Sequence, residues 1–118
     1  QGYFTTCVVL PVSMIPAAKQ FLKDYEVKFP GENVNAFDAY AYDAAVVIMK
    51  AVFKASEEVG ADKVNSPAGR DAVKAAVAAT QLEGVTGDVA FDEKGDTKNK
   101  VVTLYKVEAG KWVPQDVK

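Results

Sequence analysis

Chemistry on this chain would have to come from carboxylates, hydroxyls, amides and aromatic rings. The 118 residues include no histidine and a single cysteine, Cys7. Without imidazole the usual general base and the commonest neutral metal ligand are missing. Serine and threonine hydroxyls then have no partner base to activate them. Cys7 stands in the apolar run Cys7-Val8-Val9-Leu10, a setting for a small buried hydrophobe rather than an activated thiolate. Asp38 and Asp43 are five residues apart on a helical pattern, so they do not share a face as an acid–base pair would. Asp43 is expected to bond a neighbouring backbone or side-chain group near the helix start.

Two glycine-bearing loops invite sharper readings and fail them. Asp92-Glu93-Lys94-Gly95-Asp96 lacks the alternate acids before glycine and the later glutamate of a calcium loop, and reads as a solvated turn. Gly84-Val85-Thr86-Gly87 lacks the lysine and following helix of a phosphate cradle, and reads as a loop-to-strand turn. No enzyme, metal site or cofactor is expected. What remains is recognition. Phe37, Tyr40 and Tyr42 cluster at the start of a long helical pattern, with Asp38 among them. Such rings serve a core, or they wall a cleft for a small solute whose anionic group faces the helix-end N–H groups.

The element that must position them spans residues 35–59. It contains no glycine or proline, and its apolar residues recur at three- and four-residue steps. The apolar face is wider than a surface helix needs, which predicts cover on more than one side. Asn35 is the expected N-cap and Gly60 the expected stop. Residues 2–11, rich in β-branched and aromatic side chains between Gly2 and Pro11, read as a strand apolar on both faces. Pro16 suits the first turn of a helix that runs to Lys28, with Phe21, Leu22, Tyr25 and Phe29 on its apolar stripe. Ser66-Pro67 caps an alanine-rich helix over 68–80, with Val73, Ala76 and Val77 facing inward. Strands are expected at 88–91, 100–107 and 111–113, the last two a hairpin covered by Trp112. The order is then one strand, three helices and three strands, and the first strand wants neighbours on both sides.

Composition narrows the classes. The hydrophobic fraction is 49%, the charged fraction 25%, the net charge −2 and the pI about 5.1. With no basic stripe a nucleic-acid partner is not expected, nor is a polybasic membrane-surface segment present. No run reaches the roughly 18 apolar residues of a membrane span. The sequence shows no leader peptide and enters a strand pattern directly, as a piece of something longer would.

Several stretches, in order, resemble one family. Gly2-Tyr3-Phe4-Thr5-Thr6 through Pro11 resembles a strand crossing between two lobes. Phe21, Tyr25 and Phe29 match the next helix, and Tyr42-Asp43-Ala44 matches the start of the helix after it. Glu83-Gly84-Val85-Thr86-Gly87 followed by Phe91-Asp92-Glu93-Lys94-Gly95-Asp96 matches a turn and strand, and residues 101–112 a closing hairpin. Together they are similar to the C-terminal part of the branched-chain amino-acid-binding proteins of ABC importers. The resemblance covers nearly all of 1–118 and about the last third of a family member.

It implies an α/β, partial type I periplasmic-binding fold with two lobes. Residues 12–95 would supply first-lobe helices and a turn, and 100–118 a terminal hairpin returning to the second lobe. Two hinge crossovers would lie near 5–11, with Thr5 and Thr6 as hinge residues, and near 96–101. The ligand wall would involve Phe37, Asp38 and Tyr40. The implied ligand is a small polar solute such as a branched-chain amino acid. The implied partners are ABC transporter membrane subunits, and the implied location is extracytoplasmic. A sensor domain of the same fold and a small stand-alone interaction domain are the alternatives. Orphaned apolar faces also lead us to expect self-association.

Overall fold

The computed structural model describes residues 2–115; the last three positions of the expected hairpin at 100–118 lie outside the described residues. Strand β1 (Phe4–Cys7) has four residues rather than the ten expected over 2–11. The chain then leaves the ladder and runs through two single 3-10 turns, Val12–Met14 and Pro16–Ala18, into helix α1 (Lys19–Lys28). Pro16 holds the first position of its turn, where a missing N–H costs nothing.

Helix α2 (Asp38–Val59) is the 22-residue centre of the molecule. Asn35 does not cap it. Phe37 occupies the cap position with helical torsions and no capping side chain. Asp38 reaches back instead, accepting the Asn35 N–H at 2.8 Å, as the acidic arm of a capping box does. Gly60, at φ 93°, ends the helix as expected and donates its N–H to the Ser56 carbonyl at 3.0 Å. Helix α3 (Pro67–Ala78) opens on the expected cap, with Ser66 Oγ accepting the Gly69 N–H at 3.1 Å.

Strands β2 (Gln81–Gly84) and β3 (Gly87–Ala90) form an antiparallel hairpin closed by Val85 and Thr86. The sequence reading has no β2: only a turn and one strand are expected there. Strands β4 (Thr103–Glu108) and β5 (Lys111–Gln115) form the second hairpin, turned by Ala109 and Gly110 with φ of 50° and 77°. Left-handed torsions at both positions match the right-handed twist of the flanking strands. Trp112 does not cover this hairpin; it is 53% exposed. The sheet order is β1-β4-β5, all antiparallel, with Phe4 opposite Lys106 and Cys7 opposite Thr103.

Along α2 the buried residues are Ala39, Asp43, Val47, Ala51 and Ala55, a single stripe at four-residue steps packed chiefly against α3. Ala39 also joins Val12, Ile15 and Ala18 in a small core that Phe21, Leu22 and Tyr40 flank. The expected cover on more than one side is not supplied by the described residues: Ile48, Met49 and Phe53 are 55%, 62% and 65% exposed. The radius of gyration, 17.8 Å, exceeds the roughly 13.5 Å of a compact domain this long.

Asp43 locks the β2–β3 hairpin onto α2. Its carboxylate accepts the Val85 N–H at 2.9 Å, the Thr86 N–H at 2.8 Å and the Thr86 hydroxyl at 2.5 Å. The partners lie about forty residues away in the chain, not near the helix start as expected. Gly84 makes the approach possible, since a Cβ there would stand 2.4 Å from Asp43 Oδ2. The acidic turn after β3 is likewise satisfied internally. Asp92 Oδ1 accepts the N–H groups of Lys94 and Asp96 at 2.9 and 3.0 Å, and Lys100 Nζ lies 3.7 Å from Oδ2. The Asp96 N–H chiefly, then the Lys94 N–H and the Lys100 charge, hold the Asp92 carboxyl below its ordinary pKa against a smaller opposing effect of burial.

Two outcomes follow. Asp43→Ala is expected to lower unfolding free energy by about 2–4 kcal/mol, because it strands two inward-facing N–H groups. Gly84→Ala displaces the same carboxylate, so the double variant should cost less than the sum in urea unfolding. The depressed Asp92 pKa means that its contribution is present above the unfolded value of about 3.9 and is lost as pH falls through the lower folded value. Unfolding midpoints of wild type and Asp92→Asn should therefore differ at pH 6 and converge in strong acid.

Candidate functional site

The three expected ligand-wall residues do not converge. Phe37 is 58% exposed at the α2 cap. Asp38 spends a carboxylate oxygen on Asn35. Tyr40 packs its half-buried ring against the Val12–Ile15–Ala18–Ala39 cluster, and its hydroxyl accepts the Leu10 N–H at 3.1 Å. Tyr42 points elsewhere, since two residues on a helix lie about 200° apart around the axis. Its ring centroid is 5.3 Å from that of Phe21. From there the aromatics continue along α1, Phe21 to Tyr25 at 5.9 Å and Tyr25 to Phe29 at 5.0 Å. The F-x-x-x-Y-x-x-x-F spacing places one ring per turn on a single face.

Two of the cavities among the described residues take in these tyrosines. One, of about 460 Å³, runs beside the α1 aromatics and Tyr42. Gln20 Nε2 donates to Asp24 Oδ1 at 2.7 Å there, which closes that polar pair on itself. The other, of about 400 Å³, lies between α2, the end of β1 and β3. Val8, Val9, Tyr40, Val47 and Ile48 line it, with Thr97, Asn99 and Val101 from the segment before β4. Neither Phe37 nor Asp38 lines it. Asp43 borders it with both oxygens already engaged. The wall is therefore mainly apolar, with Tyr40, Thr86, Asp88, Thr97 and Asn99 as its polar relief. It is the place where Tyr40 and both expected crossovers meet, and so the candidate site. Among the described residues no three acidic, histidine or cysteine side chains gather to hold a metal.

Thr5 and Thr6, the expected hinge residues, sit inside the β1 ladder opposite Tyr105 and Leu104. The chain departs from the sheet only at Val8. Sequence reasoning missed Thr103. It is 4% exposed, and its hydroxyl donates to the Val9 carbonyl at 2.8 Å. Nothing local distinguishes it from any other strand threonine, because its partner lies 94 residues earlier.

Residues 1–111 match the family described as periplasmic binding protein. The structure is similar to the leucine binding protein LivK from Thermotoga maritima, with a TM-score of 0.70 at 25% identity over 98% of this chain and 30% of that one. It is also similar to an ABC transporter substrate-binding protein from Desulfitobacterium hafniense in complex with Leu, with a TM-score of 0.64 at 20% identity over 98% of this chain and 31% of that one. A second structure of a substrate-binding protein from that bacterium gives a TM-score of 0.62 at 20% identity, covering 95% and 30%. Comparison with the curated proteins gives no match. The chain spans about three-tenths of the length of these solved structures. The family is one of extracytoplasmic solute-binding proteins rather than enzymes. No helix among the described residues is long and apolar enough to cross a membrane. On the match across residues 1–111 and the shared architecture, this chain belongs to the periplasmic binding protein family and carries a portion of its type I α/β fold.

Proposed function

We propose that this chain works in the solute-binding component of an ABC importer. It contributes to a two-lobe receptor that closes on a small polar solute, an aliphatic amino acid such as leucine being the first to test. The observation that carries this reading is the likeness to a leucine binding protein across 98% of the chain at 25% identity. In it, residues 12–95 belong to the first lobe, the terminal hairpin from 100 onward returns to the second, and membrane subunits of the importer receive the closed form. The separation of the β1-β4-β5 sheet from the helices and the β2–β3 hairpin supports that division.

Within the ligand wall the three residues take different parts. Phe37, exposed at the helix start, lies outside the cavity of about 400 Å³ and would meet a solute only where another part of the receptor carries it there. Tyr40, whose hydroxyl accepts from Leu10, still has its phenolic proton to donate. Asp38 acts through the helix start it holds. Isothermal titration of the polypeptide that carries this sequence against an amino-acid panel is expected to find leucine, isoleucine or valine among the ligands. Ile48→Ala, which strips a partly exposed aliphatic side chain from the cavity wall, should weaken the best of them about tenfold, with an unchanged circular dichroism spectrum. A panel without any ligand overturns the reading.

The open face of α2 supports self-association of these 118 residues when isolated. Light scattering is expected to show species larger than a monomer, and Met49→Lys with Phe53→Lys to reduce them. A monomer at high concentration overturns that part.

A further inference from the structure

One peptide unit, between Val9 and Leu10, is held at both ends by side chains from different elements. Thr103, the first residue of β4, donates its hydroxyl to the Val9 carbonyl at 2.8 Å. Tyr40, in the first turn of α2, accepts the Leu10 N–H at 3.1 Å. Val9 and Thr103 are 5% and 4% exposed, so water is not the ready alternative partner there. This peptide lies where the chain has left β1 and has not yet reached the turn at Val12–Met14. Thr103 also follows directly on the second crossing segment and stands opposite Cys7, the last residue of β1. Both crossings between sheet and helices are thus tied at one point.

A peptide plane bonded on both edges cannot turn without breaking one of the bonds. Downstream of it, Pro11 is fixed by its ring at φ −53°. Upstream stands Val8, 73% exposed, between the last ladder residue and the clamp. We infer that Tyr40 and Thr103 are positioning residues that clamp the Val9–Leu10 peptide, fix the angle between the three-stranded sheet and the helical body, and leave Val8 as the pivot. The consequence for solute binding rests on the two-lobe reading, in which this angle sets the resting opening of the cleft; the clamp itself does not.

Spin labels placed by Lys50→Cys and Lys111→Cys, in a Cys7→Ala background of the full polypeptide that carries this sequence, report the angle as an inter-label distance distribution. Tyr40→Phe and Thr103→Val are each expected to broaden that distribution at least twofold with the circular dichroism spectrum unchanged. Thr103→Ser, which keeps the hydroxyl, should preserve the original width. A purely structural role would lower the unfolding midpoint and leave the folded-state width alone. Unchanged widths in Tyr40→Phe and Thr103→Val overturn the clamp, and should Tyr40→Phe fail to fold, Thr103→Val against Thr103→Ser decides alone. Leucine titration of the same proteins separates the two ideas. Broadening without leucine binding to any of them leaves the clamp standing and removes the importer reading, whereas unchanged widths with leucine bound do the reverse.

Discussion

The Asp43 carboxylate is the constraint on which the helical half of the molecule depends. The β2–β3 hairpin has four residues per strand, too little to be stable by itself. Its turn leaves the N–H groups of Val85 and Thr86 pointing at α2, and Asp43 takes both along with the Thr86 hydroxyl. A carboxylate 4% exposed is costly to bury. Three donors, two of them fixed backbone groups, offset that cost with charge-assisted bonds. Gly84 is the steric counterpart, the one residue type that lets the hairpin come this close. From this lock follow the register of β2 against β3 and the position of Phe91 and the Asp92 turn beyond them.

Much of the helical part was legible because its signals are local. Pro16, Ser66-Pro67 and Gly60 act within one turn of where they stand, and each does what its type suggests. The failures share a different cause. Gln81-Leu82-Glu83-Gly84 carries too little β-branched or apolar content to announce a strand; pairing with β3 and capture of the turn by Asp43 make it one. Asn35 looks like a cap, but the side chain three residues later bonds its N–H and sets the geometry. The ten-residue apolar run has the composition of one strand, yet side chains from two distant elements bond the Val9–Leu10 peptide beyond the ladder. Tyr40 was not legible as a hydrogen-bond partner of the crossing segment. Thr103 was not legible at all.

The remaining surface is the mirror of that buried stripe. The side of α2 that carries Ile48, Met49 and Phe53 is as apolar as the side it buries, and β1 shows Tyr3 and Phe4 at 71% and 58% exposure. No large side chain among the described residues is wholly shielded from solvent. The solved relatives are more than three times as long as the span they share with this chain. A fold of that size has further layers to set against such faces.

Antiparallel pairing of Phe4 with Lys106 carries one more implication. Strand β1 has its ladder partner about a hundred residues downstream, and closing so long a loop is entropically slow. The three helices and the small hairpin rely on nearer neighbours and have time to form first. Phe4 to Cys7 therefore wait for β4 while the local elements form. Among the described elements β1 is thus the last to find its partner, and Tyr3 and Phe4 are the apolar surface that gains most from shielding until β4 arrives.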